Sequence, residues 1–164
     1  MSLTNDFKNV MANWASGVAV VTTETRGLLY GLTVSSFSSV SMSPPLVLVC
    51  LSSQNRMQLM IQDSQSFAIS ILGSDMEEAS NYFASPGREP TPGFVGIDGE
   101  WTDAGRPVVR GAIAHIECKL HEAIPCGDHM IIVGEVLQAR SADGASPLVY
   151  CQREYRQLAE TDLD

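Results

Sequence analysis

Two serine-rich stretches, each following a run of apolar residues, carry the most legible chemistry in this chain. The first is Gly31-Leu32-Thr33-Val34-Ser35-Ser36-Phe37-Ser38-Ser39-Val40. The second is Cys50-Leu51-Ser52-Ser53-Gln54-Asn55-Arg56, with Pro44-Pro45 and Leu46-Val47-Leu48-Val49 between the two. Small hydroxyl side chains let a ligand approach the backbone and offer hydrogen bonds without charge. The guanidinium of Arg56 adds positive charge. Where a strand runs through Ser52-Ser53 into a helix, the first helical N–H groups lack intrahelical partners and favour an anion. The set suits a flat, hydrogen-bonding ligand that carries a phosphate. The same residues also permit a plainer arrangement, in which Ser53 caps the helix and Arg56 is solvated. An arginine in a first turn opposes the helix dipole, and a bound anion would offset that.

A second cationic group follows a predicted helix in Phe83-Ala84-Ser85-Pro86-Gly87-Arg88. There Pro-Gly turns the chain, and Arg88 either reaches a phosphate or lies in a solvated loop. Asp128-His129 follows a glycine and opens a predicted strand, so its imidazole either faces a ligand or fixes the turn; neighbouring side chains on a strand point apart. His115 and His121 fall on the polar face of a strand, towards solvent or a partner chain. Cysteines stand at 50, 118, 126 and 151 with no C-x-x-C spacing. Cys50 and Cys118 read as buried small hydrophobes within strands, and Cys126 as an exposed loop residue. Zinc is not expected, because His115 and Cys118, three apart on a strand, lie on opposite faces. No G-x-G-x-x-G follows a strand, and G-x-x-x-x-G-K-[ST] and G-x-S-x-G are both missing. A Rossmann site, a P-loop and a hydrolase elbow are therefore not encoded.

The elements that must hold these residues follow from periodicity. Phe7, Val10, Met11 and Trp14 keep helical spacing over residues 4–15. Val18–Thr23 and Leu28–Val34 form a hairpin around Glu24-Thr25-Arg26-Gly27. Leu46–Leu51 is a continuous apolar strand, read as buried on both faces. A short helix over 54–63 precedes the strand Phe67–Leu72. Ser74-Asp75-Met76-Glu77 reads as a capping box opening a helix over 75–84. Residues 85–107 hold half of the chain's eight prolines and read as a long loop with one short strand at 100–102. A half-exposed strand over 112–121, a turn at Pro125-Cys126-Gly127-Asp128, a strand over 130–137 and a strand over 147–150 complete the pattern. The sum is mainly β, antiparallel, with short helices, as a barrel or sandwich in one domain spanning 1–164.

Composition narrows the class. The 164 residues are 45% hydrophobic and 18% charged, enough for a real core. The net charge is −9, and ten Lys+Arg are scattered, so no basic stripe for nucleic acid is present. Apolar runs stop short of the ~20 residues of a membrane span. The opening Met1-Ser2-Leu3-Thr4-Asn5-Asp6 lacks the form of a secretory signal, so a cytoplasmic location is expected.

Across about residues 7–158 the chain resembles the flavin reductase family. The resemblance rests on Gly17–Thr23, Gly31–Phe37, Pro44-Pro45-Leu46-Val47, Phe83-Ala84-Ser85-Pro86, Gly127-Asp128-His129, Pro147-Leu148-Val149-Tyr150 and Tyr155-Arg156-Gln157-Leu158, in that order. It implies a homodimeric FMN-binding split β-barrel that reduces FMN or FAD with NADH or NADPH. Reduced flavin would then pass to a partner flavin-dependent monooxygenase, or electrons to a bound acceptor such as a cobalt corrin. A non-enzymatic FMN-binding electron carrier is a further alternative, and an oxidase of a small phosphate-bearing substrate another. By the same resemblance, Thr33, Val34, Ser35, Ser36 and Ser39 contact the cofactor, its ring lying along the first four. Cys50, Leu51, Ser52, Ser53, Asn55 and Arg56 also bind the cofactor, with Ser52, Ser53 and Arg56 holding its phosphate. Ala84, Ser85, Pro86 and Arg88 add the second loop, and Tyr150, Tyr155 and Arg156 a wall or dimer seam. His129 is the implied catalytic residue near nicotinamide or flavin. The chain departs from the family's usual residues at Met57 and Met130, where threonine is common, at Cys151, where an aromatic or histidine is, and in a central loop made unusual by Pro90, Pro92 and Gly93.

Overall fold

The structure, a computed structural model, describes residues 2–159. In chain order it contains α1 (Leu3–Met11), β1 (Ser16–Gly17), β2 (Ala19–Thr25), β3 (Leu28–Val34), β4 (Ser38–Met42), β5 (Pro45–Ser52) and α2 (Arg56–Ser64). Then come β6 (Ser66–Ile71), α3 (Glu77–Ala84), β7 (Gly99–Trp101), β8 (Pro107–Val109), β9 (Ala114–Cys126), β10 (His129–Ser141), β11 (Val149–Cys151) and β12 (Glu154–Arg156). Seven strands form one antiparallel sheet in the order β3-β2-β6-β9-β10-β5-β4. The expected class, mainly β and antiparallel with short helices, holds. No helix among the described residues is long and apolar enough to cross a membrane.

The long β9–β10 hairpin is the spine on which the sheet divides. Ala114–Lys119 of β9 pairs with β6, whereas His129–Glu135 of β10 pairs with β5. Register shifts at Val133/Gly134 and Val136/Gln138 bend the hairpin between those two duties. Gly127, at φ 61°, takes the first place of the two-residue turn, where glycine adopts the required backbone most easily.

Two apolar clusters lie on opposite sides of β2. Ala19 and Val21 join Val49, Leu51, Met57, Ile61, Phe67 and Ile132, while Val18 and Val20 join Leu72, Phe83, Val109 and Leu148. Burial of Met57 within the first cluster explains why an apolar residue serves where threonine is common. Gly31 seats α3 on β3: a Cβ there would stand 2.5 Å from the Phe83 ring. Because Phe83 is fully buried, Gly31→Ala is expected to destabilise the fold by about 1–3 kcal/mol through overpacking. A thermal melt checks this, and an unchanged midpoint would sink it.

Several sequence expectations are corrected. Leu46–Leu51 is not buried on both faces; Val47, Val49 and Leu51 are, while Leu46, Leu48 and Cys50 remain half-exposed on the outer side. Cys50 is thus not a buried thiol, although Cys118 is. Burial pushes the Cys118 thiol up to about 12. The α1 helix stops at Met11 and buries none of its residues. The Ser74–Glu77 capping box does not form. Ser74 N–H bonds Ser146 C=O at 2.9 Å, which holds that backbone on the sheet edge, and α3 begins at Glu77 with Met76 before it. The loop over 85–107 contains β7, which pairs with β8 at its end as a hairpin. Pro125-Cys126 is strand rather than turn, with Cys126 exposed at its end. Ser38–Met42 forms an edge strand that the serine content concealed. His115 is not on a solvent-facing surface: it is half-buried, its Nδ1 lies 3.3 Å from Ser70 Oγ, and burial lowers its pKa. Glu117, on the same side, is buried against Arg106 at 3.3 Å.

Candidate functional site

The end of β3, one face of α3 and the β11–β12 hairpin enclose a cleft of about 360 Å³. Of the expected site residues it gathers Thr33, Val34, Ser35, Ala84, Tyr150 and Tyr155. Each wall has an identifiable cause. Gly31 lets α3 lie close to β3, and Thr33 Oγ1 then donates to the Ser80 carbonyl at 2.7 Å. The hairpin is tied to α3 through Tyr155, whose hydroxyl donates to Asn81 Oδ1 at 3.1 Å and meets Ser80 Oγ at 2.7 Å. Tyr150 packs edge-on against Tyr155 at 5.5 Å. Asn81 Nδ2 has no partner among the described residues, so the cleft combines flat apolar walls with an available donor.

Sequence reasoning missed Val18, Ser80, Asn81, Arg153 and Glu154 in this cleft. Ser80 and Asn81 carried a signal, since they precede Ala84 by four and three residues and share its helix face. Arg153 had none: it lies in the hairpin turn at φ 65°. Arg156, expected here, does not line the cleft; it pairs with Glu154 at 2.7 Å. Ser39 stands apart on exposed β4, opposite Val47.

A second group forms where β5 and β10 end together. Ser36 links it to the cleft, because Ser36 Oγ donates to the Cys50 carbonyl at 2.9 Å and accepts from Cys50 N–H at 3.1 Å. The backbone from Thr33 to Ser36 therefore runs from the cleft to this strand mouth. Leu51 is buried there, and Ser52 stands opposite His129 in the ladder. Ser53 N–H bonds the Asp128 carbonyl at 2.9 Å, fastening the β9–β10 turn to the start of α2. Asn55 caps α2, its Oδ1 accepting from Met57 N–H at 2.8 Å, so Ser53 is not the cap. Arg56 follows, forked on the carboxylate of Glu89.

His129 and Asp128 do not point apart. Asp128 belongs to the turn, not the strand, and His129 Nδ1 lies 2.6 Å from its Oδ1. That hydrogen bond holds the Asp128 carboxyl below the usual carboxylate range. The imidazole is about half-exposed, at 47%.

The second loop serves structure first. Ser85 Oγ donates to the Asn81 carbonyl at 2.9 Å, and Pro86-Gly87 turns the chain with Gly87 at φ 72°. Arg88 Nη1 donates to the Gly31 carbonyl at 2.8 Å, and its guanidinium lies 4.4 Å from the Tyr82 ring and 4.8 Å from that of Phe83.

A sequence profile described as a flavin reductase like domain matches residues 11–159. An NADH-dependent flavin reductase of a Rhodococcus species is 37% identical over 92% of this chain and 84% of its own length. The reductase component of the 4-hydroxyphenylacetate 3-monooxygenase of Thermus thermophilus is 36% identical over 93% of this chain and 95% of its own. Among solved structures, the NADH:FAD oxidoreductase of Streptomyces globisporus in complex with NAD and FAD fragments superposes with a TM-score of 0.90. It is 32% identical, over 99% of this chain and 96% of that one.

Proposed function

The chain belongs to the flavin reductase family, and from that premise we propose that one flavin spans the two regions linked by Ser36. The activity is NADH-dependent reduction of FMN or FAD. When bound, the flavin supplies the hydride-accepting ring and the nicotinamide the hydride. The residues fit such a ring: the cleft is within the usual size of a cofactor site and is lined by two tyrosines with polar groups at the rim. Val34, Ser35, Tyr150 and Tyr155 would position the ring. Ser52, Ser53 and Arg56 would hold the phosphate, and His129 would face the reacting rings from the strand mouth. The protein's share is to orient two rings and to place hydrogen-bond donors where negative charge develops.

The observation that supports this reading is the double hydrogen bond of Ser36 to Cys50, which ties the segment leaving the cleft to β5, the strand that leads into Ser52, Ser53 and Arg56. Purified protein mixed with NADH and FMN under air is expected to consume NADH rapidly, followed at its absorbance band. A yellow protein that leaves NADH untouched would overturn the reading in favour of an electron carrier. The Thermus relative is named as a monooxygenase component, which supports delivery of the reduced flavin to a partner monooxygenase.

The functional unit is a homodimer. Leu3, Phe7, Val10, Met11 and Trp14 of the N-terminal segment are exposed, from 47% at Met11 to 85% at Leu3. Leu46, Leu48, Cys50 and Ile131 leave a second apolar area on the outer side of the sheet. Apolar surface of this kind marks an interface. Light scattering at micromolar protein is expected to give twice the mass of one chain, and a monomer mass would refute the assignment.

A further inference from the structure

The fork of Arg56 is already engaged by an anion of the protein itself. Arg56 Nη1 donates to Glu89 Oε2, and Nη2 donates to Oε1 at 3.0 Å. A carboxylate held this way makes the two charge-assisted contacts that a phosphate would make.

Glu89 is presented to Arg56 by its neighbours. On one side Arg88 is fixed to the Gly31 carbonyl and stacked on Tyr82 and Phe83. On the other, Thr91 exchanges both backbone hydrogen bonds with Leu29, at 2.7 and 3.0 Å. Residues 88 and 91 are thus pinned along β3, and Glu89 lies between the pins. The pair is open to water, with side-chain exposures of 44% for Arg56 and 70% for Glu89. It can therefore separate at small cost. The first turn of α2 contains no acidic residue, so Glu89 also supplies the negative charge which that helix end favours.

We propose that Glu89 is an internal competitor for the flavin phosphate at Arg56, and that it keeps flavin an exchangeable substrate rather than a permanently held cofactor. The inference rests on reading Arg56 as the phosphate anchor. Glu89 occupies the Nη1/Nη2 edge of the guanidinium, so a phosphate arriving at that edge must displace the carboxylate. Because Arg88 and Thr91 hold the loop in place, the displaced carboxylate stays close and takes the fork again as flavin leaves.

The test compares FMN with riboflavin, which lacks the phosphate, in the parent, Glu89→Gln and Glu89→Asp. Glu89→Gln is expected to bind FMN about three- to tenfold more tightly and release it more slowly, from loss of an exposed ion pair and of like-charge repulsion. Its riboflavin affinity is expected to match the parent, and Glu89→Asp, which keeps the charge, to return FMN affinity towards the parent value. Unchanged or weaker FMN binding in Glu89→Gln would overturn the proposal, as would an equal shift for riboflavin. If the parent itself binds FMN and riboflavin equally, the assignment of Arg56 is at fault and the proposal falls with it.

Discussion

Replacing Arg56 with alanine is expected to weaken FMN binding about 10–100-fold while leaving riboflavin nearly untouched. A charge-assisted contact is worth roughly 1.5–3 kcal/mol, which gives that range. The surroundings favour its upper part. Loss of the guanidinium removes an attraction and also leaves the carboxylate of Glu89 unpaired beside the incoming phosphate. Both changes oppose a dianion, and neither concerns the ring. Fluorescence titration with the two flavins separates them, and equal losses for FMN and riboflavin would show that Arg56 does not meet the phosphate. Folding should survive, because Asn55 rather than Arg56 caps α2 and the helix is anchored by buried Met57 and Ile61.

The second large effect is expected at His129. Its Nδ1 is committed to Asp128, which fixes the ring and leaves the other nitrogen for a ligand at the mouth beside Ser52. His129→Ala is expected to slow hydride transfer or weaken NADH binding by about 1–3 kcal/mol, the size of one oriented hydrogen bond to a polar or charged group. Flavin affinity should change little, since the residue lies outside the phosphate fork. Anaerobic stopped-flow reduction measures the step, with melting followed in parallel. A lowered melting temperature with an unaltered rate per folded molecule would assign His129 to the turn alone.

Much of the frame was legible because burial imposes periodicity. The hairpin of β2 and β3, the apolar β5 and the long β10 all follow from β-branched and apolar runs that only a sheet satisfies. The failures share a cause, which is the precedence of long-range contacts over local preference. A capping box needs Ser74 N–H free for the Glu77 carboxylate, but the backbone carbonyl of Ser146 accepts it. Asn55 rather than Ser53 caps α2, because the helix begins at Arg56, while Ser53 is fastened to Asp128 through its backbone N–H. In the site, residue types were readable where chemistry is concentrated, at the serine stretches, Arg56 and His129. Ser80 and Asn81 were visible only as a helix face, and the place of Arg153 depends on a hairpin turn that no local signal announced. The pairing of Arg56 with Glu89 spans 33 residues and had no trace in the sequence.

The wall formed by Tyr150 and Tyr155 sets a schedule for biosynthesis. Domains form as the chain emerges from the ribosome, N-terminal parts first. Here the strands that carry the core could already be paired while the cleft still lacks one side, because β11 and β12 follow every strand of the main sheet. The late hairpin is also stitched back to the beginning of the chain: β1 pairs with β11, Gln152 N–H reaches the Ala12 carbonyl at 2.6 Å, and Arg153 reaches Asn9 at 2.8 Å. A nascent chain halted before Tyr155 would display the serine stretches and Arg56 but no enclosed ring site. Ring binding in the proposed cleft therefore waits on β11 and β12, which come after every strand of the main sheet.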